Sequence, residues 1–344
     1  MKKIISLFII GLFLVGCTEK KLEINKKDLK KNDLEMDNII GKVKSISETT
    51  YNAVEKFGKV EKKRLNSKFT DIYNRSGNRT EIESYFPNDT FLTWKKTKNY
   101  DDNNNIIETC HYAADGVLES KWIAKYDKNG NIMESYQYNS DEIITSKNIY
   151  KYNSNGHQIE KAEYDINSDL NWKYVYNHDS DGNLSEMTKY NSNEIVVLKC
   201  LYDSKGNIID WKFYTSKGKL QGNRICKRDS KGNKIEETEY DTNNDLNWRD
   251  IYKYDSNGNK IEKLEYSWDD SLLYKFTWKY DSKKNEIEDK YYRFTYSPNR
   301  DTNRFEQTTY KYEYDSEGNW IKKIEFNTML ETEYITEREI KYYD

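Results

Sequence analysis

A 26-residue segment recurs from Tyr73 almost to the C-terminus, and no other feature restricts the fold as strongly. Its marker is Tyr-Asp-x-x-Gly-Asn-x-Ile-Glu, seen whole at Tyr254-Asp255-Ser256-Asn257-Gly258-Asn259-Lys260-Ile261-Glu262. Copies open at Tyr73, Tyr100, Tyr126, Tyr152, His178, Tyr202, Arg228, Tyr254, Tyr280 and Tyr314. A fixed period of this size means an array of identical small units rather than successive globular domains.

Each unit reads as two strands. The Asn-Gly and Asp-Gly pairs (Asn129-Gly130, Asn155-Gly156, Asp181-Gly182, Asn257-Gly258) sit between segments of period 2, which predicts two-residue type I′ hairpins. Lys284 occupies the glycine position, so it is either strained or marks a different turn. The implied register sets the opening tyrosine opposite the isoleucine seven residues on. It also pairs Lys125 with Glu134, Lys151 with Glu160, Lys227 with Glu236, Lys253 with Glu262 and Lys279 with Glu288. In the last unit both charges swap, as Glu313 with Lys322, which supports the register because opposite charges favour cross-strand pairing.

A second aromatic, twelve residues into each unit, runs from Tyr85 through Tyr112 and Tyr138 to Tyr292 and then Phe326. Length changes fall only after it, so one edge should carry uniform turns and the other variable loops. The expected architecture is all-β: about ten hairpin units forming one long twisted meander sheet, open or superhelical. The charged segment Glu333–Lys341 reads as a closing strand that blunts an edge.

The N-terminus has a separate logic. Met1-Lys2-Lys3 is basic, Ile4 to Val15 is apolar, and Leu14-Val15-Gly16-Cys17 follows, a secretory signal too short to span a membrane. Those four residues resemble the lipobox of bacterial lipoproteins, which implies acylation (palmitate among the chains) at Cys17. Residues 18–37 are charged without an apolar period and read as a tether. The division is therefore 1–16 signal peptide, 17–37 lipidated tether, 38–72 starting hairpin and 73–344 repeat array.

The motif Tyr-x-Tyr-Asp-x-x-Gly-Asn, as at Tyr252-Lys253-Tyr254-Asp255 and Tyr312-Glu313-Tyr314-Asp315, resembles the YD repeats of the RHS family. The resemblance covers nearly all the mature chain and implies β-hairpin sheets, some of which spiral into shells around toxins or contact carbohydrate. This chain has Asn or His157 after the glycine where RHS units carry Arg, and no C-terminal toxin domain. Over its whole length it is similar to uncharacterised repeat lipoproteins of bacterial envelopes.

Candidate chemistry is sparse. Net charge is −3, and no basic face points to nucleic acid. Cys110, Cys200 and Cys226 remain beside Cys17; Cys200 and Cys226 occupy equivalent repeat positions, too far apart for a disulfide. His157 and His178 fall at repeat positions, and Cys110-His111 splits across a strand, so no catalytic or metal site is expected. The acidic turns lack EF-hand spacing, and no cofactor is implied. Trp172 and Trp248 both stand in Asp-Leu-Asn-Trp and are the candidate ligand-binding residues. The expected role is a lipid-anchored, non-catalytic binding or scaffolding surface at the outer membrane or cell surface. Its partner would be an envelope protein or polysaccharide. Alternatives are a carbohydrate-binding module and an immunity or toxin-accessory protein.

Overall fold

The computed structural model describes residues 31–56, 59–86, 91–294, 304–328 and 332–344. A four-residue helix α1 (Asp33–Met36) precedes 22 strands. They are β1 (Val43–Lys56), β2 (Lys59–Tyr73), β3 (Arg79–Tyr85), β4 (Leu92–Tyr100), β5 (Ile106–Ala113), β6 (Leu118–Tyr126), β7 (Ile132–Tyr138) and β8 (Ile144–Tyr152). Next come β9 (Gln158–Asp165), β10 (Leu170–His178), β11 (Leu184–Asn191), β12 (Val196–Tyr202), β13 (Ile208–Tyr214), β14 (Leu220–Arg228), β15 (Lys234–Asp241) and β16 (Leu246–Tyr254). The last six are β17 (Lys260–Tyr266), β18 (Leu272–Tyr280), β19 (Glu286–Arg293), β20 (Arg304–Tyr314), β21 (Trp320–Asn327) and β22 (Thr332–Tyr342).

Every strand pairs antiparallel with its sequence neighbours, and β1 also pairs with β22 from Val43↔Tyr342 to Ala53↔Glu333. The sheet is therefore a closed 22-stranded barrel, which corrects the expected open or superhelical meander. The reason lies in β22. Its charges do not blunt an edge; they meet partners on the first hairpin, Arg338 with Glu48 at 2.9 Å and Glu337 with Lys62 at 2.6 Å. Ile340 faces Ile46, and the hydroxyls of Thr50 and Thr336 lie 3.0 Å apart. At about 4.8 Å per strand the circumference is roughly 106 Å and the diameter roughly 34 Å before tilt, too wide for side chains to fill.

The turns also differ from expectation. Asp127 N–H donates to the Asn131 carbonyl (2.8 Å) and Gly130 N–H to the Asp127 carbonyl (3.1 Å). Only the glycine position has positive φ, 81° at Gly130 and 83° at Gly258, so the connection is a type I turn closed by a glycine bulge rather than type I′. This explains the motif. One Asp127 carboxylate oxygen accepts from the N–H of Asn129 (2.8 Å) and Asn131 (2.9 Å), and the other accepts from the Asn131 side chain (3.0 Å). A second register shift, just beyond the turn, sets the opening tyrosine opposite the sixth residue on, as in Tyr254↔Lys260, and leaves Ile261 as the extra residue.

Beyond the bulge the ladder register holds as read. Lys125↔Glu134, Lys151↔Glu160, Lys227↔Glu236, Lys253↔Glu262, Lys279↔Glu288 and Glu313↔Lys322 are all cross-strand pairs. Most of their lysines are largely exposed, so each pair contributes under about 1 kcal/mol and mainly specifies register.

The second edge is less variable than expected. The same five-residue turn recurs at Ala113–Val117, Asn139–Ile143, Asp165–Asp169, Asn191–Ile195, Thr215–Lys219, Asp241–Asp245 and Ser267–Ser271. The short step from His178 to Tyr202 comes from β12, seven residues long where its counterparts have nine. Acidic residues hold the strained position in three of these turns: Glu142, Glu194 and Asp270, with φ of 58°, 57° and 62°. Each carboxylate reaches a strand cation, Lys121, Lys173 or Arg249, within 2.5–2.9 Å. That same cation lies over the position-twelve ring of Tyr138, Tyr190 or Tyr266.

Lys284 sits at φ 68° in an unchanged turn, so it is the strained case. Lys284→Gly is expected to stabilise the barrel by about 1 kcal/mol, read as a higher denaturation midpoint. The turn carboxylates Asp127, Asp229 and Asp255 are held below the usual range, first by the side-chain amides of Asn131, Asn233 and Asn259. A depressed acid stabilises above its unfolded pKa, so stability should be full above about pH 4 and fall as pH drops below it. Urea midpoints measured from pH 6 to pH 2 test this, and the multiple substitution of these asparagines by alanine should flatten the acid limb.

Candidate functional site

Both termini of the described chain lie at the Asp-x-x-Gly-Asn end. Asn32 caps α1, accepting from Glu35 N–H at 2.9 Å while the Glu35 carboxylate accepts from Asn32 N–H, a capping box. Leu34 N–H donates to the Gly77 carbonyl, and Asp33 and Asp37 accept from Arg79. The chain continues along the turn before β21, where Asn319 both accepts from Ile40 N–H and donates to its carbonyl, each at 2.8 Å. Leu34, Val43, Ile46 and Tyr73 form the buried apolar cluster at this seam, with Ile39, Ile340 and Tyr342 packed against it. The helix falls within the stretch read as tether, because its charges serve as cap and ion-pair partners and mask Leu34.

Residues 37–40 separate two clefts. One, of about 490 Å³, is lined by Arg79, Arg338, Asp37, Glu48, Asp71 and Tyr73 over Ile46, Phe69 and Ile82. Arg79 bonds Asp37 (2.5 Å) and Asp71 (3.3 Å), and burial raises the Asp71 carboxyl and pushes the Tyr73 phenol up to about 12. The other, of about 640 Å³, is lined by Lys283, Lys284, Tyr314, Glu317 and Trp320 and shares Arg338. The Arg338 guanidinium lies 3.4 Å from the Trp320 ring centre, and Lys283 lies 4.0 Å from that of Tyr314. Paired ions and aromatic rings are the chemistry of polar recognition.

Strand parity reveals a second organisation. In β16 the opening Tyr254 shares its face with Tyr252, Asp250 and Trp248, whereas Lys253, Ile251 and Arg249 lie on the ladder face. Carried around the ring, this parity puts Trp94, Trp122, Trp172, Trp211, Trp248, Trp278 and Trp320 all on the opening-tyrosine face. Trp268 lies outside this face, in a turn, 73% exposed. The signal was available in the sequence: most of these tryptophans stand an even number of residues before an opening tyrosine.

Charged groups fill the spaces between these rings. Arg224 lies over Trp211, Phe213 and Trp248 and pairs with Glu239 at 2.8 Å. Beside it Lys234 pairs with Glu237, and Lys263 pairs with Asp250 (2.9 Å) and Glu265 (2.5 Å). Tyr252 O–H is directed at Asp250 (3.1 Å) and Glu237 (3.4 Å), and burial raises its phenol. These residues converge although they lie up to 41 positions apart, from Arg224 to Glu265.

Since one face lines the barrel and the other covers it, a membrane-spanning wall would need one of them to carry an apolar band. Both carry rows of Lys, Arg, Asp and Glu. At roughly 2–4 kcal/mol per basic residue near a bilayer midplane, neither face is compatible with lipid. Charged side chains therefore stand on both faces of the barrel wall.

The two candidate tryptophans occupy equivalent positions on β10 and β16, six strands apart. Both are half-buried, Trp172 between Lys161 and Lys189 (5.1 and 5.8 Å) and Trp248 under Arg224 (5.0 Å). Cys17 lies outside the described residues. Cys110, Cys200 and Cys226 are buried free thiols. His157 and His178 stack at 5.0 Å across neighbouring turns, the histidine pair replacing a turn asparagine and an opening tyrosine. The turn carboxylate of Asp179 accepts from Asp181 N–H, Asn183 N–H and the Asn183 amide, the turn chemistry repeated at the other motif turns.

No protein-family model matches the chain, and no curated protein shows significant similarity to it. Among solved structures it is similar to a chain of the Photorhabdus luminescens Tc holotoxin pore, at 14% identity and TM-score 0.30 over 85% of this chain. This protein spans only 18% of that toxin chain. A porin-like protein from Bacteroides uniformis matches at 9% identity and TM-score 0.29, with 87% of this chain and 98% of that one covered. A putative outer membrane lipoprotein-sorting protein domain from Vibrio parahaemolyticus matches at 8% identity and TM-score 0.14, over 87% and 85% of the two chains. These scores are below those of a shared fold.

Removing Arg338 should loosen the seam. With the Glu48 side chain 35% exposed, Arg338→Ala is expected to cost about 1–2 kcal/mol, less than a fully buried pair. Thermal unfolding gives the loss, and hydrogen exchange should show it concentrated at the β1–β22 ladder.

Proposed function

We propose that this chain is a lipid-anchored protein of the bacterial envelope whose barrel is a non-catalytic binding scaffold held in water beside the membrane. The observation that carries this reading is the presence of charge on both faces of the wall. Such a barrel cannot serve as its own membrane anchor, so attachment falls to the acylated Cys17. Several acyl chains on one residue suffice, at about 0.8 kcal/mol per buried methylene.

Recognition is assigned to the seam clefts and to the opening-tyrosine face, where rings, guanidinium groups and carboxylates alternate. Trp172 and Trp248 fit that role as parts of a charged aromatic surface rather than as open platforms for sugar rings, since cations already cover them. The partner class favoured is an envelope protein, with polysaccharide second.

Two measurements test this. Cys17→Ser should abolish incorporation of an alkyne-palmitate label and move the protein from the detergent phase to the aqueous phase on phase partitioning. The unlipidated chain should stay soluble without detergent and fail to insert into liposomes. Insertion would overturn the reading, and so would persistence of Cys17→Ser in the detergent phase. Cross-linking in the native envelope then identifies what the barrel holds.

A further inference from the structure

The first hairpin outruns the barrel. The β1–β2 ladder continues to Lys56↔Lys59, whereas β2 and β3 pair only from Lys68↔Tyr85 onward. Between Val60 and Ser67, β2 has a strand partner on one side alone among the described residues, the longest such edge in the ring. The hairpin therefore projects roughly 20 Å beyond the neighbouring strand. It does so at the end opposite both termini of the described chain. A row of unpaired backbone N–H and C=O groups is a template for a further strand.

The side chains restrict what can dock. Val60–Ser67 contains three basic residues (Lys62, Lys63, Arg64) and one acidic residue (Glu61), a local charge of +2 in a chain of −3. Lys63 and Arg64 are exposed and make no ion pair among the described residues, while Lys62 is engaged by Glu337. Register shifts around Tyr51 add local twist where Lys63 and Arg64 lie between the paired Lys62 and Leu65. Basic residues and bulges keep neutral strands away from an edge, and two copies of this one would oppose like charges. The same charges attract an acidic strand.

We propose that the Val60–Ser67 edge of β2 is a β-augmentation site for an extended acidic segment of a partner protein. Main-chain hydrogen bonds along the edge supply affinity, and Lys63 and Arg64 select the sign of the partner. The edge and its charge stand without the lipid anchor. If the chain is anchored as proposed above, the hairpin points away from the tethered end, which favours a protein over the bilayer surface.

The test uses the chain from residue 17 onward carrying Cys17→Ser, so that all described residues are present and no acyl chain confounds lipid binding. Fluorescence anisotropy follows labelled eight-residue peptides of alternating Thr and Glu, the same length of Thr and Lys, and the acidic peptide N-methylated at alternate residues. The acidic peptide is expected to bind, with the basic and N-methylated forms at least tenfold weaker. Lys63→Glu with Arg64→Glu should reverse the charge preference, and Lys63→Gln with Arg64→Gln should weaken acidic binding at least threefold, with far-UV circular dichroism unchanged in both. Failure of the acidic peptide to bind overturns the proposal, as does equal binding of both signs. Insensitivity to N-methylation also overturns it, by reducing the contact to charge alone. Binding to phosphatidylglycerol vesicles, lost on charge reversal while peptides do not bind, would assign the edge to lipid instead.

Discussion

A single backbone requirement underlies the repeat array: from Asn104 to Lys284 one residue every twelve to fourteen adopts left-handed φ and reverses the chain. Glycine supplies most of these residues at the motif end, and its neighbours make the turn self-sufficient. The aspartate accepts two main-chain N–H groups and a side-chain amide, so the reversal is specified within five residues and needs no help from a core. At the other end the same turn tolerates Glu142, Glu194 and Asp270, because each acid at the strained position reaches a cation that already covers a tyrosine ring. The contact is repeated three times, at carboxylates exposed enough that each contributes under about 1 kcal/mol.

This local sufficiency accounts for what could be read directly. Hairpins, their count within two strands, and the Lys–Glu ladder follow from spacing alone, since the swapped pair Glu313–Lys322 reports register without any knowledge of curvature. Turn type does not follow from Asn-Gly alone, because the pair suits two geometries. The distinguishing residue is the aspartate three places before the glycine, whose carboxylate is the acceptor a type I turn with a bulge requires. The shared face of seven tryptophans was legible too, by parity rather than by repeat position.

Closure was not legible, and the reason is physical. Curvature sums over 22 strands, so a small error in each leaves the fate of the two ends undetermined. The contacts that decide it, Arg338 with Glu48, Thr336 with Thr50 and Ile340 with Ile46, occur once and have no counterpart in the repeat. The seam cluster of Leu34, Val43, Ile46 and Tyr73 is likewise unique. Elsewhere apolar and charged groups share both faces, so the wall is stabilised by its ladders and ring–cation contacts more than by a packed interior. The clefts form at the seam, where non-repeat residues of the N-terminal segment meet the last strands.

Joining β1 to β22 has a cost in time as well as in entropy. The strands that meet lie 290 residues apart at Glu48↔Arg338. By the logarithmic dependence of loop closure on length, bringing them together costs about 3 kcal/mol more than closing a ten-residue loop. Every other pairing is made by the nearest neighbour in the chain and can form as soon as two strands have emerged. The molecule should therefore assemble as a lengthening sheet with a live edge at each end and complete the ring only when its last strand is delivered. A chain that stalls or is clipped before β22 loses more than one strand: it remains a two-edged ribbon, the form most prone to pair with another copy of itself.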